Sequence, residues 1–385
     1  MGWSTRPPSW LAILALAAPV AFAPGACSPS RAIEAAQVLA DVAAGEMPSR
    51  LKRIRPEPTR TPVIYQVAGR RHAGDIYEPG DGAEAALVLV PGVARAGKDD
   101  PRLVAFAKTL ARARFAVLVP DIANLRALKV SPADAGSIAD AVQYFARRGG
   151  GKDPSVGLVA ISYAVGPALL AALDEDTGRR VRFVLAIGGY YDIEALVTFF
   201  TTGYFRERPD GPWRHLAPNA YGKWIFVRNN VHRLSARADR AALAAMAKRK
   251  LENVNADIAD LVAKLGREGR AVHALLVNAD PQRAPALIAA LPGAVRADMA
   301  ALDLKQQDFS KLAARLILVH GRDDAIIPYS ESEALAAVAP RADLYVVDSL
   351  AHVDLGLGGL VDTIVLWRAV YRLLAERDAA PPPAL

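Results

Sequence analysis

The chain has 385 residues, of which 52% are hydrophobic and 23% charged. This composition excludes a disordered or fibrous polypeptide, and the length allows a core without disulfide or metal staples. A single cysteine, Cys27, excludes an intramolecular disulfide, and six scattered histidines without ligand-type spacing exclude a zinc cluster. The 47 basic and 40 acidic residues leave a net charge of +7; with no stacking motif beside the basic residues, this is not a nucleic-acid binder's signature.

Residues 1–27 read MGWSTRPPSWLAILALAAPVAFAPGAC, with Arg6 ahead of an apolar run over 11–23 and small residues after it. That is the layout of an export signal, and the run is shorter than the roughly 20 residues a spanning helix needs. Two processing outcomes are open. Ala21-Phe22-Ala23 has the form of a signal-peptidase site, which gives a soluble periplasmic protein. Gly25-Ala26-Cys27 has the form of the end of a bacterial lipobox, although Pro24 stands where leucine is usual. Acylation of Cys27 would anchor the chain in the cell envelope, and a lone cysteine directly after a signal core favours this outcome. Residues 28–60 then divide into an amphipathic helix over 31–44 and the stretch SRLKRIRPEPTR (49–60), with five basic residues and two prolines. That stretch reads as a solvated linker or, beside an anchor, as a contact for anionic headgroups.

From residue 61 short β-branched runs alternate with helical stretches. PVIYQV (62–67) and GDIYEP (74–79) alternate like the strands of a hairpin. ALVLV (86–90) is a buried strand ending at Pro91-Gly92. The helix after it has Pro101 near its start and Leu103, Phe106, Ala107 and Leu110 at helical spacing. FAVLVP (115–120) is the next strand, and Ser131-Pro132 supplies an N-cap and first-turn pair for a helix to Arg148. SVGLVAI (155–161) predicts a strand, YAVGPALLAAL a helix and VRFVLAI (181–187) another strand. Over 193–310 the strand rhythm stops and the pattern is mostly helical, as in 237–265. It resumes with RLILVHG (315–321), a helix from Ser330, DLYVVD (343–348) and an amphipathic helix over 358–377, before a tail (379–385) that reads as disordered. Apolar strands separated by helices predict an α/β fold: a mostly parallel, doubly wound sheet covered on both faces. The sheet is read in two pieces, 61–192 and 311–378, with a helical insertion at 193–310 between them.

VGLVAISYAVGPALL (156–170) carries the strongest chemical signal. Ser162 ends a strand and directly precedes a helix, with Ala160 and Ala164 two residues away on either side. A sharp strand-to-helix turn exposes a nucleophile and admits only small neighbours, and the helix N-terminus behind it faces a developing oxyanion. The usual G-x-S-x-G appears here as Ala160-Ile161-Ser162-Tyr163-Ala164; by these residues alone an ordinary helix cap fits as well. Chain order separates the two readings. HGRDDAIIP (320–328) puts an aspartate pair after a strand, and His352 follows Asp324 by 28 residues, just after the last strand. Serine, aspartate and histidine in that order suit a nucleophile activated by a base that a carboxylate orients. The other five histidines read as structural.

At these residues the chain resembles the α/β-hydrolase superfamily, over about 61–192 and 311–378. Gly321-Arg322-Asp323-Asp324-Ala325-Ile326-Ile327-Pro328 is similar to the family's G-x-x-D-x-x-V-P segment, whose aspartate falls on Asp324. Asp323 is the neighbouring alternative, and Asp192 in GGYYD a third, since some members carry the acid there. The resemblance implies an oxyanion hole made by the backbone N–H groups of Tyr163 and of Val93, in a Pro91-Gly92-Val93 segment where members often have His-Gly. It implies that 193–310 is a cap over the site. The aromatic residues near its start, Tyr190, Tyr191, Phe199, Phe200, Tyr204 and Phe205, either line an apolar acyl site or fasten the cap to the sheet. The implied activity is that of an exported carboxylesterase with Ser162, Asp324 and His352 as its triad. Its substrate is a small-molecule ester, and no cofactor is implied: the chain has neither a G-x-G-x-x-G turn nor a P-loop. Thioesterase, lactonase or dienelactone-type hydrolase and peptidase chemistry are the near alternatives, and a catalytically silent binding lipoprotein is the distant one.

Overall fold

The computed structural model describes residues 28–148, 155–350 and 359–379. The export segment with Cys27, the segment that carries His352 and the tail beyond 379 lie outside the described residues. The chain opens with α1 (Pro29–Ala44), α2 (Arg50–Ile54) and the hairpin β1 (Thr59–Val67) and β2 (Arg70–Glu78). The first part of the sheet continues through β3 (Ala85–Val90), α3 (Pro101–Arg112), β4 (Phe115–Pro120), α4 (Ala123–Arg126) and α5 (Ala133–Arg148). It ends with β5 (Val156–Ile161), α6 (Val165–Leu173), α7 (Glu175–Gly178) and β6 (Val181–Ile187). The insertion holds α8 (Ile193–Thr202), the two-residue strands β7 (Tyr204–Phe205) and β8 (Arg214–His215), α9 (Tyr221–Asn230) and α10 (Arg237–Glu252). After these come α11 (Ala259–Val262), α12 (Arg267–Leu276), α13 (Ala284–Ala289) and α14 (Gly293–Leu302). β9 (Arg315–Gly321), α15 (Ser330–Val338), β10 (Ala342–Val347) and α16 (Leu360–Asp378) complete the sheet and close the chain.

Eight strands form one sheet in the order β1-β2-β4-β3-β5-β6-β9-β10. β2 is antiparallel to both its neighbours, and every other pair in the sheet is parallel. The inner strands are continuous apolar runs because both faces are covered: every residue of β3 and of β4 is buried. On one face α1, α3 and α16 pack around Leu89, Leu110, Phe115 and Leu373. On the other, α5 and α6 pack around Leu118, Val142, Leu158 and Leu169. Strand order turns at β3, whose neighbours are β4 and β5. The connections after β3 and after β5 therefore leave toward opposite faces and open a crevice at the carboxyl ends, where doubly wound sheets bind ligands.

Two expectations change. The stretch 49–60 is not a solvated linker. Ser49 caps α2, Lys52 pairs with buried Asp41, and Arg60 pairs with Asp75 and Asp99 from within β1. Lys52, Arg55 and Arg60 thus serve tertiary ion pairs that no local pattern announces. The helical stretch 237–265 breaks after Glu252, where Asn253 adopts an extended conformation as the C-cap, and helix returns at α11.

Candidate active site

Ser162 stands at the carboxyl end of β5 with its backbone in the left-handed region, φ +59°. A β-strand that must become a helix within one residue forces this conformation, and only small side chains fit around it. Ala160 and Ala164 are both fully buried, so the alanines that replace the usual glycines take the space available. A short 3-10 turn over Ser162–Ala164 leads into α6. Gly92 lies directly against this elbow: a Cβ there would stand 3.5 Å from the Ile161 carbonyl oxygen and 3.8 Å from the Ser162 Cβ. The Pro91-Gly92-Val93 segment and Tyr163 thus flank the serine, where the two oxyanion donors are expected.

The register of the parallel strands sets the other partners. Ile161 pairs with Ile187 and Ile187 with Val319, so the ends of β5, β6 and β9 are level. The loop after β9 begins two strands from Ser162, about 10 Å across the sheet. Asp324 lies in that loop, 2% exposed. Its Oδ1 accepts hydrogen bonds from the backbone N–H groups of Ile326 (2.8 Å) and Ile327 (3.0 Å). Its Oδ2 is 3.3 Å from Nε2 of buried His320. That Nε2 is also 2.9 Å from the Ile327 carbonyl. A carbonyl can only accept, so Nε2 carries a hydrogen that it donates to Ile327, with the Asp324 carboxylate close beside it. Nδ1 of the same ring meets the Ser332 hydroxyl at 2.7 Å. His320, read from the sequence only as structural, is thus fixed by Ile327 and Ser332 and packs against the Asp324 carboxylate; a lone histidine at a strand end carries no signal of this.

The two alternative carboxylates have other engagements. Asp323 accepts the Leu350 N–H at 3.0 Å, which ties the chain after β10 to the Asp323-Asp324 turn. Asp192 caps α8 through the N–H groups of Glu194 and Ala195 and pairs with Lys305 at 2.8 Å. Behind the elbow, burial and then the charges of Asp324 and Tyr221 push the Tyr163 phenol above its ordinary range. Burial also pushes the carboxyl of Glu331, in the first turn of α15, up to about 7. Among the described residues no group of three His, Cys, Asp or Glu side chains could hold a metal ion.

A cavity of about 510 Å³ opens beside Ser162, lined by Gly92, Val93, Ile161 and Ile187, by α3 and by the end of α1. None of its described lining residues comes from 193–310. The aromatic residues at the start of the insertion do other things. Phe199 and Phe205 pack edge-on with each other and Phe205 with Tyr329 of the sheet domain, which fastens the insertion down. Tyr204 packs edge-on against Trp213. Tyr190, Phe200 and Phe226 line a separate, small cavity of about 70 Å³ behind Tyr163.

No family model matches this chain, and no curated protein does. Solved structures similar to it include a hyperthermophilic esterase from the archaeon Pyrobaculum calidifontis, 14% identical over 91% of this chain and 92% of that one, at a TM-score of 0.45. A dienelactone hydrolase from Anabaena variabilis is 13% identical over 83% and 98%, at 0.43. The acylaminoacyl peptidase of Pyrococcus horikoshii is 12% identical over 86% of this chain, at 0.47. The chain spans 43% of that peptidase's length. The fold stands on features of the chain itself: the strand order, the single reversed strand β2 and the left-handed serine between β5 and α6. It is an α/β-hydrolase fold.

Proposed function

We propose that the protein is a serine hydrolase that cleaves a carboxylic ester through an acyl-enzyme on Ser162. One observation carries the reading: Ser162 is a non-glycine residue held at positive φ at a strand-to-helix turn, beside a cavity large enough for a small-molecule substrate. In this reading Ser162 Oγ attacks the ester carbonyl carbon while His352 takes its proton. The backbone N–H groups of Tyr163 and Val93 hold the resulting oxyanion. Collapse expels the alcohol, which takes the proton from His352, and water repeats the sequence to free the acid and the serine. Asp324 orients the imidazole and stabilises its charged form. The position of Leu350 fits this reading: its N–H is hydrogen-bonded to Asp323, so the described chain after β10 ends at the Asp323-Asp324 turn. Export through residues 1–27, with Cys27 as an envelope anchor, and a capping role for 193–310 belong to the same proposal.

An alkyl fluorophosphonate probe tests it. The wild-type protein is expected to be labelled and Ser162→Ala to remain unlabelled; an unlabelled wild type, or a labelled Ser162→Ala, overturns the reading. Hydrolysis of p-nitrophenyl esters then ranks the carboxylates, with Asp324→Asn losing about 10⁴-fold in kcat and Asp323→Asn far less. Palmitate incorporation that survives Cys27→Ala would remove the anchor.

A further inference from the structure

The cavity beside Ser162 is walled on one side by residues 42–45, the last turn of α1 and its cap, and on another by Leu103 and Phe106 of α3. α1 precedes the sheet in the chain and is no part of its strand-helix alternation. Its end is nonetheless built into the fold with unusual care. Asp41, directly before the wall, is fully buried. It accepts hydrogen bonds from the hydroxyls of Ser49 and of Thr109, the latter at 2.7 Å, and pairs with Lys52 at 2.9 Å. Thr109 lies on α3, so one carboxylate ties both walls together. The Lys52 ammonium also donates to the carbonyls of Gly45 at 2.7 Å and Met47 at 2.8 Å, which satisfies the end of α1. A buried carboxylate destabilises a fold unless it is paired and fully hydrogen-bonded. Here that arrangement fixes the spacing of two helices across a cavity that reaches the nucleophile.

The wall itself is Val42, Ala43, Ala44 and Gly45, with Phe106 and Leu103 on α3: small or apolar side chains, none of which offers a side-chain hydrogen bond. On this side the surface recognises length and girth; the charged lining residues, Asp100 and Arg102, stand at the start of α3, where Asp100 caps the helix and pairs with Arg102. Its volume of about 510 Å³ is far more than an acetyl group fills and lies in the range of small-molecule sites. We infer that this cavity is the acyl pocket, that it takes an unbranched apolar acyl chain of medium length, and that the end of α1 sets that length. The inference rests on the serine hydrolase reading of Ser162 and goes beyond it by assigning the substrate class and the specificity wall.

The test is the ratio of kcat/KM for p-nitrophenyl octanoate over acetate, read with each protein on the same preparation, so that a reduced folded fraction cancels. The wild type is expected to prefer octanoate by about tenfold or more, as burial of added methylenes requires. Ala43→Phe, which fills the pocket from α1, is expected to lower that ratio about tenfold, and the smaller step Ala43→Leu to lower it less. Phe106→Ala is expected to shift the preference toward dodecanoate. A wild type that favours acetate overturns the inference, as does a ratio unmoved by both Ala43 variants. So does a ratio that moves with Phe226→Ala in the small cavity behind Tyr163 and not with Ala43→Leu, which would place the acyl group under the insertion. Absence of fluorophosphonate labelling in the wild type is a different result: it removes the hydrolase reading itself.

Discussion

At Ser162 the backbone holds φ at +59°, a conformation that costs an L-residue about 1–2 kcal/mol and glycine almost nothing. The strain has a measurable signature. Ser162→Gly and Ser162→Ala both delete the hydroxyl, so their difference isolates the backbone. In regular structure alanine is the more stable of the two; at this position glycine is expected to be more stable by about 1 kcal/mol in urea unfolding. If alanine matches or exceeds glycine there, the serine is not held in a strained elbow. The serine was legible in the sequence because a buried strand, small neighbours and a helix converge on one position. The carboxylates were less so. Asp323 and Asp324 are adjacent; the resemblance favours Asp324, and in the structure the two have different partners, Asp324 accepting from Ile326 and Ile327 and Asp323 from Leu350. His320 was illegible because its partners, Asp324, Ile327 and Ser332, are joined by a turn that no residue type announces.

At the scale of elements, α15 shows how the sheet and the insertion are joined. Its Glu331 is buried, and Oε2 accepts the backbone N–H groups of Tyr191 and Asp192, both at 2.8 Å, where the chain leaves β6 for α8. Desolvation outweighs those two bonds and raises the carboxyl from 4.5 to about 7. The native state therefore holds this proton more tightly than the unfolded chain does. The resulting stabilisation is complete below about pH 4.5 and is lost as pH rises through 7, on the order of 3 kcal/mol in all. Glu331→Gln keeps an acceptor for both N–H groups and has no charge to bury. The stability of the wild type relative to this variant is expected to fall between pH 4.5 and 7 and to level off above, as read from urea unfolding at several pH values. A constant difference would mean that the carboxylate is not desolvated in the folded protein. Elements of this kind were legible where one face is apolar over several turns, as for α3, α5 and α16, or where both faces are, as for β3 to β6. α2 was not, because five residues are too few to show a period and its partner Asp41 lies on another helix. Nor could any local pattern show that the end of α1 lines the cavity at Ser162, since that depends on α3 and α1 meeting across the crevice.

For the molecule as a whole, a helical insertion of this length in a 385-residue chain would ordinarily be expected to unfold as a unit of its own. The packing argues otherwise. One apolar cluster runs without a break from Leu158, Val184 and Leu318 in the sheet, through Tyr190 and Phe200, to Leu243 and Leu275 in α10 and α12. Polar ties cross the same boundary: Tyr190 donates to the Leu302 carbonyl at 3.2 Å, and the Val130 N–H to the Asn229 side chain at 3.0 Å. The Asn219 N–H donates at 2.7 Å to the Ala325 carbonyl, inside the Asp324 turn, so loosening the insertion disturbs the candidate site directly. The tryptophans test this coupling. Trp224 is buried within the insertion, and Trp367 lies on α16, where its indole donates to the Ala32 carbonyl on the opposite face of the sheet. In variants that retain only one of these two, with the other tryptophans changed to phenylalanine, the urea midpoints by fluorescence are expected to coincide with each other and with that of far-UV circular dichroism. A Trp224 transition well below that of Trp367 would mean that the insertion melts first, and that the continuous cluster does not make it one cooperative unit with the sheet.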